Sequence, residues 1–134
     1  IMELLYIDFE EVNEMFINLS NHNSALWSDA QKKAASEYGE IKNIAFPDIP
    51  AQFTEKETIE LADRYCETII ALKPDYVMCQ GEFTFVYHIV SRLKKYGIKT
   101  AAACSERNVS EFIDKDGLSV KKSIFIFVKF REYV

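Results

Sequence analysis

The sequence predicts an α/β domain in three layers: a mostly parallel sheet between helices, with a C-terminal β-hairpin adding antiparallel strands. Three observations predict it. Between residues 15 and 104, short apolar runs alternate with segments of helical periodicity, the order that joins parallel strands through crossover helices. One run, Tyr76-Val77-Met78-Cys79, is apolar throughout, as suits a strand covered on both faces. Beyond residue 104 the helical pattern stops, and Asp116-Gly117 between two apolar runs supplies the positive φ angles of a tight turn.

Each element carries its own signal. Met15–Leu19 is the first core strand. Ser28 followed by Gln31 has capping-box spacing and opens a helix through about Tyr38, closed by Gly39. Ile41–Phe46 alternates as a second strand until Pro47 and Pro50 stop it. Thr54 and Glu57 form another capping box, and Ile59, Ala62, Cys66, Ile69 and Ile70 mark a long amphipathic helix ended by Pro74. After Tyr76–Cys79, a helix carries Val86, Ile89, Val90 and Leu93 on one face and ends at Gly97. Ile98–Cys104 is a fourth strand of small residues that stops at Ser105-Glu106-Arg107, and Val109–Asp114 with Leu118–Phe130 form the hairpin. Residues 1–13 mix apolar and acidic side chains without a period and read as an N-terminal cap or arm on a single domain spanning 14–134.

Composition narrows the function. A chain of 134 residues with 49% apolar content builds one core. A net charge of −5 argues against coating duplex nucleic acid, which needs many Lys and Arg contacts to phosphate, but allows a small anion in a local basic pocket. Cys66, Cys79 and Cys104 show no CxxC pair and lie in apolar surroundings, as reduced thiols of a cytoplasmic protein do. No run is long enough to span a membrane, and the N-terminus lacks signal-peptide order, so no membrane partner is expected.

Three polar clusters follow three of the inferred strands: Asn18/Ser20/Asn21/His22, Gln80/Gly81/Glu82/Thr84 and Ser105/Glu106/Arg107. Parallel strands point the same way, so the clusters are expected to converge on one rim, where ligands bind in open α/β sheets. Polar loops also arise simply because they are exposed and cap helices. His22 suits proton transfer or phosphate binding, or capping alone. His88, inside a helix, reads as a structural or surface residue. Gly81 permits close ligand approach, Glu82 is either a ribose acceptor or a first-turn acid, and Arg107 is suited to a phosphate or to an ion pair with Glu106 or Glu82. Lys129 and Arg131 share a face of the last strand, either solvated or near the site. Neither GxGxxG nor a P-loop is present, so no cofactor is expected. Ser20, Ser105 and Cys104 lack a nucleophile elbow, and one histidine with one or two glutamates makes a poor metal site, so the expected chemistry is metal-independent.

Taken together, Asn18-Leu19-Ser20-Asn21-His22-Asn23-Ser24 with Trp27, Gly81-Glu82-Phe83-Thr84-Phe85, Cys104-Ser105-Glu106-Arg107 and the ending Phe127-Val128-Lys129-Phe130-Arg131-Glu132-Tyr133 resemble the CARF-like ring nucleases that accompany type III CRISPR systems. The resemblance covers roughly residues 14 to 134. It implies a Rossmann-like homodimer that binds a cyclic oligoadenylate across its twofold axis and cleaves it, switching off an antiviral signal. It further implies metal-independent attack of a ribose 2′-OH on the adjacent phosphorus, giving a 2′,3′-cyclic phosphate. On that pattern His22, Ser20 and Glu82 are the catalytic candidates. Asn18, Asn21, Gly81, Thr84, Ser105, Arg107, Lys129 and Arg131 are the ligand-binding ones. The alternative is a module of the same fold that senses or sequesters the cyclic nucleotide without cutting it.

Overall fold

The computed structural model describes residues 14–134, so the cap or arm expected for residues 1–13 lies outside the described residues. Five strands, β1 (Met15–Ser20), β2 (Glu40–Ala45), β3 (Tyr76–Cys79), β4 (Lys99–Ile113) and β5 (Ser119–Glu132), form one sheet in the order β2-β1-β3-β4-β5. The helices are α1 (Asp29–Ser36), α2 (Glu55–Leu72) and α3 (Phe83–Lys95), with a single 3-10 turn at Ser24–Leu26. The first four strands are parallel, and β5 runs antiparallel to β4. This mostly parallel sheet flanked by helices is compatible with a Rossmann-like layout.

Period-two alternation divides the core between the two faces of the sheet. Ile17 and Leu19 of β1 and Val77 and Cys79 of β3 pack against Ala62, Cys66 and Ile69 of α2 and Phe85, Ile89 and Leu93 of α3. Phe16, Tyr76, Met78 and Ala101 face the other way, toward Trp27, which precedes α1, and Ala35 of α1, with Phe130 of β5 joining them. Rings dominate this second cluster: Phe16 stacks on Tyr76 with centroids 5.6 Å apart, meets Trp27 edge-on at 6.1 Å and lies 5.1 Å from Phe130. An Arg92–Asp63 ion pair ties α3 to α2.

The helix caps follow the expected chemistry. Thr54 and Glu57 complete a reciprocal box, each accepting the other's backbone N–H, at 3.1 and 3.2 Å. Ser28 accepts from the Gln31 N–H at 3.2 Å, but the Gln31 side chain turns away toward Met78 instead of closing the box. The first helix stops at Ser36, two residues before the expected Tyr38. Gly39 then takes φ of 140°, and a Cβ there would lie 2.4 Å from the backbone of Glu14 and Met15. The left-handed Lys73 and Pro74 close α2.

The fourth strand departs from expectation. It does not stop at Cys104 but runs unbroken through Ser105, Glu106 and Arg107 to Ile113. Pairing with β5 holds over thirteen positions, from Ala101 opposite Glu132 to Ile113 opposite Ser119, with one irregularity between Cys104 and Ser105. Polar side chains do not end a strand when the neighbouring backbone continues to pair with it, and both faces are exposed here, so solvent accommodates them. Asp114 Oδ1 turns the chain by accepting the N–H groups of Asp116 and Leu118, both at 2.9 Å.

Gly39→Ala is expected to destabilise the domain by about 2 kcal/mol or more, because both its φ and the adjacent backbone exclude a Cβ. At Gly117 the added methyl meets open space and only φ of 77° opposes it, so Gly117→Ala should cost about 1 kcal/mol. Urea unfolding midpoints of the two variants check the order.

Candidate functional site

The strand order reverses between β1 and β3, because the chain passes from β1 outward to β2 and then returns to the other side of β1. Two neighbouring strand ends therefore diverge into connections on opposite faces, leaving a crevice at their carboxyl ends. The first of these ends is built by a buried amide. Asn18 is 1% exposed on the α1 face, and its Nδ2 donates to the His22 carbonyl at 2.8 Å and to Asn43 Oδ1 at 2.9 Å. The Ser20 hydroxyl donates to Asn18 Oδ1 at 2.7 Å and accepts from the His22 N–H at 3.2 Å. Asn43 closes the network through the N–H and hydroxyl of Ser24, both at 2.9 Å. The result is a fixed loop that leaves Asn21 and His22 exposed.

A cavity of about 680 Å³ occupies the crevice, within the range of small-molecule sites. From the end of β1 and the loop after it come Ser20, Asn21 and His22; from the 3-10 turn and the entry to α1, Leu26, Trp27, Ser28 and Gln31; from β3 and its end, Met78, Gln80 and Gly81. The long pair of strands supplies Ala103, Ser105, Phe125 and Phe127. None of these lining residues is Asp, Glu, Lys or Arg, and His22 is the one imidazole. Gln80 Oε1 accepts the Ala103 N–H at 2.6 Å, which leaves its amide nitrogen as a donor.

A family model matches residues 14–131, which include every residue of this cavity. The chain belongs to the uncharacterized protein MJ1673 family. No curated protein and no solved structure matches it. The MJ1673 span also contains the network around Asn18 and the caps of all three helices.

The structure brings some of the expected site residues together and assigns others to different work. Ser20, Asn21, His22, Gly81 and Ser105 all line the cavity, although Ser105 does so from within β4 and not from a loop. Asn18 is enclosed beneath the loop and shapes it. Gly81 lines the cavity, yet the close approach it permits is that of Phe46, whose ring would lie 2.4 Å from an added Cβ. Phe46 is itself held edge-on by Phe85 at 5.1 Å.

Glu82 is the N-cap of α3. Its carboxylate accepts the Phe85 N–H at 2.8 Å, the Thr84 N–H at 3.1 Å and the Thr84 hydroxyl at 2.7 Å. The Phe85 N–H, and after it the Thr84 hydroxyl, hold this carboxyl below the usual carboxylate range. Glu82 is thus an ionised acceptor at neutral pH and not a proton donor. It borders a smaller hollow of about 250 Å³ with Asn21, Phe46 and Asp48.

The cations lie outside the cavity. Arg107 stands two residues beyond Ser105 on the same face of β4, opposite Phe125, and donates to Ser123 Oγ at 3.2 and 3.3 Å. Its partner is this hydroxyl and not Glu106 or Glu82. Lys129 pairs opposite Cys104 and Arg131 opposite Ala102, while the intervening Phe130 packs with Phe16 and Trp27 on the α1 face. Alternation therefore turns both basic residues to the α2–α3 face, away from the cavity. His88 is half-buried in α3, with its ring 5.6 Å from Tyr87. Burial raises the Cys66 and Cys79 thiols to about 11 and about 12, so both are protonated core groups.

Reading by sequence missed Gln31, Met78, Phe125 and Phe127 as lining. Phe125 and Phe127 had a usable signal, since two aromatic residues at period two share a face, but placing them required β4 to continue past Cys104.

Glu82→Ala is expected to lower stability by about 1 kcal/mol at neutral pH through loss of the cap. Because the folded-state pKa of Glu82 is depressed, its stabilisation is complete above the unfolded pKa and is lost as pH falls through the folded value. The gap between wild type and variant should therefore shrink as the pH drops below about 4.5, and denaturant titrations across pH 2–7 would show it. Gly81→Ala should destabilise by about 1–3 kcal/mol by overpacking against Phe46, and the smaller Phe46→Leu ought to recover part of that loss in the double variant.

Proposed function

We propose that this chain binds a cyclic oligoadenylate in the cavity at the ends of β1 and β3 and cleaves it without a metal or cofactor. The observation that carries this reading is the chemistry of the lining: amides, hydroxyls, aromatic rings and one imidazole, with no carboxylate among its described residues. Asn and Gln amides match the donor and acceptor edge of adenine, and aromatic side chains offer the faces on which bases stack. Ser20 and Asn21 suit ribose hydroxyls, and a lining whose described residues include no Asp or Glu does not repel phosphate.

The reaction of this reading needs no enzyme nucleophile. A ribose 2′-OH held in line attacks the adjacent phosphorus, the bond from phosphorus to the 5′-oxygen breaks, and a 2′,3′-cyclic phosphate forms. One proton leaves the 2′-OH and one reaches the departing 5′-oxygen, and His22 is the group at the cavity able to take or give it. Positioning supplies much of the rate. Arg107, just outside the lining, is the nearest of the expected phosphate contacts, and a second copy in a homodimer would double it. In this reading the domain is a CARF-type ring nuclease that ends a type III CRISPR signal in the cytoplasm.

A second reading, binding without cleavage, is favoured by a different observation. The Ser20 hydroxyl and the Glu82 carboxylate, both catalytic candidates, are already engaged by the loop and the helix cap. Incubation with cyclic tri-, tetra- and hexa-adenylate in EDTA, followed by chromatography, separates the readings. Linear products ending in a cyclic phosphate support cleavage, intact but bound ligand supports sensing, and neither binding nor cleavage sinks both. If cleavage occurs, His22→Ala is expected to slow it by about 100-fold or more while leaving the dissociation constant little changed.

A further inference from the structure

The ladder between β3 and β4 stops one rung short. Their pairing ends with Met78 opposite Ala101, and the register would next join the Ala103 N–H to the Cys79 carbonyl. Instead each of these groups takes a side chain. Gln80 Oε1 accepts the Ala103 N–H at 2.6 Å from the cavity side, while the Tyr133 hydroxyl, packed on the α2–α3 core, donates to the Cys79 carbonyl at 2.8 Å. Two wedges, one from each face of the sheet, thus end the pairing. Beyond them β4 and β5 continue as a two-stranded arm, and the β4 edge of that arm has no strand beside it among the described residues.

Alternation fixes what this edge offers. The Thr100 carbonyl accepts the Tyr133 N–H and the Asp114 N–H donates to the Leu118 carbonyl, so the even residues of β4 face β5 and the odd ones face the open side. Ala103 and Ser105 both line the cavity. With the Ala103 N–H already engaged by Gln80, what they present there is the Ala103 carbonyl followed by the Ser105 N–H, an acceptor beside a donor.

We infer that this pair of main-chain groups reads the base of an adenine nucleotide, the Ala103 carbonyl accepting from the N6 amine and the Ser105 N–H donating to the adjacent ring nitrogen. The base takes the place of the absent β3 backbone. Adenine carries a donor beside an acceptor, whereas a purine with oxygen at position 6 turns an acceptor toward the Ala103 carbonyl and is repelled. Leu26, Trp27, Phe125 and Phe127 supply apolar and aromatic surface in the same cavity for the faces of the ring. Reading by the main chain also leaves the side chains of Asn18 and Ser20 free to hold the loop, as they do. The inference rests on the proposed function in taking the ligand to be an adenine nucleotide, and it adds the atoms that select the base.

Titration of isotope-labelled protein with AMP and with IMP, followed through the backbone amide signals, tests it. Millimolar AMP is expected to move the Ser105 amide proton downfield and to bind about 10-fold or more tightly than IMP. AMP that does not bind, AMP that binds and leaves the Ser105 amide unmoved, or IMP that binds equally well overturns the inference. Ser105→Pro removes the donor and spares the pairing with β5, which uses the even residues, so it should weaken AMP binding by about 10-fold with an unchanged circular dichroism spectrum. A folded variant that binds AMP as the wild type does overturns the inference too, and should the variant not fold, the wild-type spectra decide. A Ser105 shift with AMP but no binding of any cyclic oligoadenylate removes only the proposed ring ligand, and a bound ring that leaves the Ser105 amide unmoved removes only this inference.

Discussion

The geometry of the cavity depends on satisfying one buried amide. Asn18 lies within β1 with an apolar neighbour on each side, and a buried amide without partners costs more than its hydrogen bonds return. Its partners here are the His22 carbonyl and the Ser20 hydroxyl, from the segment that ends β1, and the Asn43 side chain, from β2. Meeting that demand folds the segment after β1 back over the strand end, so the loop has one conformation set by the core beneath it. Asn21 and His22 then project from a rigid support, the condition under which an exposed side chain can meet a ligand in a defined orientation.

The end of β3 is organised differently, by packing and by a cap. Phe46, arriving from the end of β2, fills the space where a side chain at position 81 would stand, and Glu82 anchors the first turn of α3 directly after it. A glycine and an acid that suggest ligand contact when seen in sequence are thus accounted for by the protein's own backbone and rings. What they contribute to the cavity is the direction in which the chain leaves it.

Much of the layered architecture was legible in the sequence because it follows from periodicity. The all-apolar Tyr76–Cys79 becomes a strand covered on both faces, and Thr54 with Glu57 starts its helix as the spacing requires. Convergence of residues 20 and 81 on one cavity was legible too, since parallel strands share a direction; Ser105 joins them from within β4 and not from the expected strand end, and Glu82, Glu106 and Arg107 stay outside the lining. The extent of β4 was not, because strand length past a core is decided by the pairing partner, and no local signal at Ser105-Glu106-Arg107 reports that β5 continues beside it. The positions of Lys129 and Arg131 were missed for a related reason. Period two fixes that they share a face, but which face depends on Phe130 finding Phe16 and Trp27.

That continuation of β4 has two effects from one cause. Because the strand does not end at Cys104, Ser105 and its partner Phe127 are carried to the crevice and complete its wall, so the cavity needs the arm. Because the pairing then runs on past the last helix, further apolar side chains are held in the open with no layer above or below them. A shorter β4 would remove the exposed surface and the cavity wall together. An exposed apolar surface and a cavity wall built from one continuous ribbon are mechanically joined: whatever fixes the ribbon also fixes Phe125 and Phe127, and pressure on those rings bears on the ribbon in return.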